Sequence, residues 1–86
     1  MQDKTLRTRL LREIYRKKKK GEEFVVEFDV ICKRWGVDIL QLHENIKILS
    51  RKGYIHSFNN YRLLFLELTE KGRKRIDGLK KRRCGR

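Results

Sequence analysis

The stretch FDVICKRWGVDILQLHENIKILSRKGYI, Phe28 to Ile55, decides how this chain folds. Within it Phe28, Ile31, Cys32 and Trp35 are spaced 3, 1 and 3, as one face of a two-turn helix requires, and Gly36 stands where a left-handed helix cap belongs. Asp38 and Gln41 have capping-box spacing, after which Leu42, Ile46 and Leu49 recur at intervals of 4 and 3 until Gly53. The expectation is two helices joined by a tight turn. Toward the N-terminus, Leu6, Leu10, Leu11, Ile14 and Tyr15 share one helix face, which predicts a helix over 4–18 with Asp3 as its cap and Gly21 as its stop. Between these helices Phe24, Val25 and Val26 suit a brief strand.

Toward the C-terminus the period changes from helix to strand. Tyr54 to Phe58 and Tyr61 to Leu68 are aromatic and branched runs, and Asn59 and Asn60 between them tolerate left-handed backbone, which predicts a hairpin with an Asn-Asn tip. Leu64, Leu66 and Leu68 then share one face and Leu63, Phe65 and Glu67 the other. Both faces are largely apolar, so the outer one calls for cover by a last helix or by a partner subunit. Thr69 can cap that helix, expected over 70–82 with Ile76 and Leu79 as its apolar contacts.

Composition limits what such a chain can do. Its 86 residues suit one small domain, 1–86, of α+β class, too short for a multi-domain enzyme. Charged residues make up 41% of it and the net charge is +13, so an anionic partner is needed to relieve self-repulsion, and nucleic acid is the obvious one. The charge is unevenly spread. Residues 1–20 hold nine Lys/Arg against two Asp/Glu, residues 70–86 the same numbers, and residues 21–69 six against seven. The basic ends, including Lys17, Lys18, Lys19 and Lys20, read either as solvated helix ends or as phosphate-contacting arms.

No apolar run approaches the roughly 18–20 residues of a membrane span, and the start MQDKTLRTRL has no apolar signal stretch, so a soluble protein of the cytoplasm is expected, without membrane association. Cys32 and Cys84 are 52 positions apart without CxxC spacing, and His43 and His56 lack ligand partners, so neither a metal nor another cofactor is indicated. Cys32 reads as a small buried hydrophobe, whereas Cys84 in its basic surroundings could form an inter-chain disulfide. No phosphate loop, nucleophile elbow or Cys/His/Asn set is present, which speaks against an enzyme and against a small-molecule ligand.

Three motifs in register carry a family resemblance. ICKRWGVD, Ile31 to Asp38, resembles the second helix and turn of the winged helix-turn-helix superfamily, commonly LAxxLGVS. NIKILSRKGYI, Asn45 to Ile55, is similar to the end of its recognition helix, commonly LxxLxxxGLI, and LTEKG, Leu68 to Gly72, looks like the LTxxG that opens its last helix. The likeness is greatest to small archaeal and archaeal-virus transcription regulators. It implies a three-helix core with a β-hairpin wing and a C-terminal helix, binding double-stranded DNA with the third helix in the major groove and the wing on the backbone or minor groove.

Under that resemblance the outward side of the third helix shows Ile39, Leu40, His43, Glu44 and Lys47 to base edges. His43 can donate to guanine, Glu44 can accept from cytosine, Lys47 can approach guanine or a phosphate, and Ile39 or Leu40 can touch a thymine methyl. Candidate phosphate contacts are Lys33, Arg34, Arg51, Lys52 and Arg62, with Asn59 and Asn60 adding neutral hydrogen bonds. A homodimer on a near-palindromic operator is expected, because one small module gives modest specificity and the outer sheet face wants cover. Two other functions remain open: a sequence-tolerant packaging or RNA-binding protein, and an interaction module that docks on an acidic protein through Ile39 and Leu40. If ~6 phosphates are engaged, DNA affinity falls roughly 10³-fold between 50 and 200 mM salt, and a flat salt titration counts against nucleic-acid binding.

Overall fold

The structure, a computed structural model, describes the backbone of residues 2–84 and the side chains of residues 2–78. The expectations for Leu79, for the basic C-terminal end beyond residue 78 and for a Cys84 disulfide lie outside the described side chains. Among the described residues the chain is α+β, with four helices and one three-stranded antiparallel sheet, in the order α1 (Asp3–Lys19), β1 (Phe24–Val26), α2 (Phe28–Trp35), α3 (Ile39–Arg51), β2 (Ile55–Asn60), β3 (Leu63–Leu68) and α4 (Glu70–Cys84). Among those residues no helix is long and apolar enough to cross a membrane.

The helices bury the faces their periodicity marks. Leu6, Leu10, Leu11 and Ile14 of α1 meet Ile31 and Trp35 of α2, Leu42, Ile46 and Leu49 of α3, and Ile76 of α4 in one apolar cluster. The turn between α2 and α3 rests on Gly36, whose φ of 64° is left-handed, a conformation open to glycine because it has no Cβ to clash. Its N–H and that of Val37 both reach the Cys32 carbonyl, at 3.1 Å for Val37, and Val37 is thereby driven into the core. Only residues 36–38 separate the two helices, so α3 starts close to the end of α2.

Two expected caps are absent. Asp3 is the first residue of α1, not its cap, and Asp38 sits at the N-cap of α3 without a side-chain bond. For Asp3 and Gln41 the reason is tertiary: Gln41 donates to the Asp3 carboxylate at 3.1 Å, so these two side chains are taken up between α1 and α3.

The sheet order is β1-β3-β2, with Val25 opposite Phe65 and Phe65 opposite Phe58. The hairpin tip differs from the expected Asn-Asn. Asn59 and Asn60 are strand residues paired with Leu64 and Leu63, and the loop is Tyr61 and Arg62, both left-handed at φ 50° and 66°. Two left-handed non-glycine residues cost roughly 1–2 kcal/mol each. An Asn-Asn tip would leave Leu66 and Leu68 without partners on β2, whereas the observed register places buried Ile55 opposite buried Leu68 and stacks Phe58 on Phe65, ring centroids 5.2 Å apart. Cross-strand pairing therefore overrides turn preference. That stack covers Phe65 on the outer face, while Phe58 and Leu63 stay 40% and 46% exposed; α4 instead sends Ile76 into the core.

The LTEKG segment has a physical reading throughout. Leu68 is core, and Thr69 caps α4 by accepting from the Gly72 N–H at 3.0 Å while donating to the Gly53 carbonyl at 2.6 Å. Gly72 is in the first turn of α4, where a Cβ would collide with the Tyr54 carbonyl oxygen and come within 2.8 Å of Leu68 Cδ1. Helix propensity alone favours alanine by about 1 kcal/mol. Because backbone blocks the space, Gly72→Ala is expected to lower unfolding stability by about 1–3 kcal/mol in a urea titration.

Candidate nucleic-acid interface

A cleft of 580 Å³ lies between α3 and the hairpin. From α3 it takes His43, Ile46, Lys47, Ser50 and Arg51; from the strands it takes Val26, Ser57, Asn59, Leu64 and the tip residue Arg62. Phe28, at the start of α2, stacks on the His43 ring with centroids 5.7 Å apart and planes 16° from parallel, so it holds that imidazole at the wall of the cleft. No carboxylate lines the cleft, and among the described residues none of the ion pairs involves Lys47, Arg51 or Arg62. Above an apolar floor of Val26, Phe28, Ile46 and Leu64, the cations, hydroxyls, amide and imidazole of this concave surface offer donors to an anionic ligand.

The orientation of α3 comes from a polar contact that sequence patterning does not reveal. Asn45 is 1% exposed, on the same side as Leu42 and Leu49. Its Oδ1 accepts from Arg7 Nη1 at 2.8 Å, and its Nδ2 donates to Asp3 Oδ1 at 3.1 Å and to the Gln41 carbonyl at 2.7 Å. Hydrogen bonds from Asn45 and Gln41, with the nearby Arg7 charge, hold the Asp3 carboxyl below its ordinary 3.8. The available signal was an amide on an otherwise apolar helix face.

The other sequence candidates are distributed as follows. Leu40 and Glu44 share the outermost ridge of α3 with Lys47 and Arg51 but do not line the cleft; Leu40 is 70% exposed and Ile39, at the helix start, 50%. Asn60, exposed, adjoins the tip. Lys33 is exposed on α2, and Arg34 borders a separate cleft with Glu13, Glu23 and Glu27. Lys52 faces a third cleft beside Lys4, Arg7 and Arg75. Lys17 pairs with Glu22 at 3.8 Å and Lys18 reaches the Leu68 carbonyl at 3.4 Å. Lys19 lies over the Tyr15 ring and Lys20 is exposed. Leu68 ends β3 about 17 Å from the hairpin tip at the usual rise per residue, so this lysine cluster is remote from the cleft. Ser57, Ser50 and Phe28 are cleft residues that sequence reasoning missed; the hairpin register was needed for the first and the α2–α3 crossing for the last.

Cys32 is a half-buried free thiol packed against the core, pushed up in pKa by burial and by Asp38 and Asp29. Among the described residues no cluster of His, Cys, Asp and Glu could hold a metal ion. Comparison with family models, with curated proteins and with solved structures finds no match to this chain.

Removing Asn45 takes away the acceptor of Arg7 and one of the two side-chain donors to Asp3, so Asn45→Ala is expected to lower stability by about 1–3 kcal/mol by urea unfolding. The Asp3 contribution has a defined sign. A carboxyl lowered in the folded state stabilises above its unfolded value of 3.8, and that stability is lost as pH falls through the folded value. Stability of the native protein is therefore expected to decline from about pH 4 downward more steeply than that of Asp3→Asn.

Proposed function

We propose that this chain is a winged helix-turn-helix protein that binds double-stranded DNA sequence-specifically as a homodimeric transcription regulator. The observation that carries the proposal is the acid-free cleft between α3 and the hairpin, in a chain of net charge +13. In this reading α3 enters the major groove, with Lys47 and His43 toward base edges and Arg51 on phosphate, while Arg62 at the tip follows the adjacent backbone or minor groove. Leu40 and Glu44 extend the base-facing ridge beyond the cleft. Exposed Phe58 and Leu63 on the outer sheet face support pairing of two copies. The cytoplasm is the proposed location, and no catalytic role is assigned.

Selection of bound duplexes from a random pool tests this, and a consensus with two-fold symmetry is the expected result. Lys47→Ala is expected to weaken binding to the selected site by about 1–3 kcal/mol and relax preference at one position, whereas Arg62→Ala should weaken all duplexes alike and reduce the salt slope by about 1. Equal affinity for every duplex would replace the regulator with a sequence-tolerant packaging protein, which the net charge also suits.

A further inference from the structure

α1 and α3 face each other through buried residues, Leu6, Leu10, Leu11 and Ile14 on one and Leu42, Ile46 and Leu49 on the other. Their exposed faces therefore point away from each other. The outward face of α1 carries Lys4, Arg9, Arg12 and Arg16, all exposed, around Thr5 and Thr8. Glu13 is the one carboxylate lining this surface, and it is held by Arg16 at 3.5 Å. Among the described residues Lys4 and Arg12 make no ion pair, and Arg9 is fixed over the Trp35 ring, 4.7 Å from its centroid. Arg9 with Arg12, and Arg12 with Arg16, are like charges three and four residues apart, an arrangement that destabilises a helix unless an anion neutralises it.

From this geometry we propose a second anion-binding face on α1 that takes a second DNA duplex segment, so that one molecule bridges two duplexes. The proposal rests on the DNA-binding reading of the α3 cleft. Lys4 to Arg16 spans about 18 Å of helix, room for several phosphates on a duplex that carries one charge per roughly 1.7 Å of axis. The two shorter extents of the molecule are 27 and 24 Å, about three Debye lengths at physiological salt, so a duplex on one face scarcely repels a duplex on the other. The periodic separation of charge carries the function: apolar residues point to the core, and cations point to a second polyanion.

The test uses the full chain, a bead-tethered duplex bearing the selected site, and a labelled duplex of unrelated sequence in solution. Wild type is expected to retain the labelled duplex on the beads. The variant K4Q/R12Q/R16Q, its helix content checked by circular dichroism, should bind the tethered duplex within about 3-fold of wild type yet retain about 10-fold less of the second. Retention equal to wild type overturns the proposal and assigns bridging to the two clefts of a dimer. A loss of binding to anionic vesicles with bridging unchanged also overturns it, assigning the face to a membrane surface. Lys47→Ala with Arg51→Ala tests the cleft separately: undiminished binding to the tethered duplex defeats the cleft reading, and the α1 comparison with wild type still decides the second face.

Discussion

The burial of one side of α3 against α1 determines what its other side can present. Leu42, Ile46 and Leu49 are buried, worth of order 1.5–3 kcal/mol each for full burial, but that attraction has no direction. Such attraction alone fixes the roll of a helix less sharply than a directional bond does. Asn45 removes that freedom, because its amide must meet Arg7, Asp3 and the Gln41 carbonyl at 2.7–3.1 Å together. Apolar contact holds α3 down, and the amide sets its roll. With the roll set, Lys47 and Arg51 stand outward and His43, stacked on Phe28, lines the cleft.

The helical part of this arrangement was legible in the residues because each signal was local. The 3, 1, 3 spacing before Gly36, the left-handed φ at that glycine, and the Thr69 cap of α4 all need only a few consecutive positions. The misreadings share the opposite property. Asp3 and Gln41 each have good local capping chemistry, yet they bind each other across 38 positions, which no local rule exposes. Asn59 and Asn60 have the better turn chemistry, but Ile55, Phe58 and Leu66 draw the register two residues further and leave Tyr61 and Arg62 at the tip. Of the cleft, His43 and Lys47 on α3 were readable from helical periodicity and Ser50 was not; Ser57, Asn59 and Phe28 became their neighbours only through the hairpin register and the turn at Gly36.

Charge follows the same division between local pattern and tertiary placement. The segment between the basic ends is nearly neutral in sequence, so its total charge gives no hint of a basic surface there. Folding separates its signs. Lys47, Arg51 and Arg62 border the α3 cleft, whereas Glu23 and Glu27 border another cleft together with Arg34. A cation in an acid-free concavity projects its field with little cancellation, so three residues there act more strongly on an approaching polyanion than the segment total suggests.

Glu44 is the exception, and its position gives it a use under the proposed function. It stands on the outermost ridge of α3, outside the cleft, three residues before Lys47. A carboxylate brought up to a duplex is repelled by phosphate and desolvated in the groove, so it is tolerated only where a base-edge donor such as a cytosine amine meets it. Lys47 attracts any duplex, whereas Glu44 penalises most of them. Discrimination is a difference between affinities, and an unfavourable contact with the wrong sequence widens it as effectively as a favourable contact with the right one. A ridge pairing attraction with selective repulsion suits recognition of a particular site better than it suits packaging of all sites, for which a cation at residue 44 would serve better.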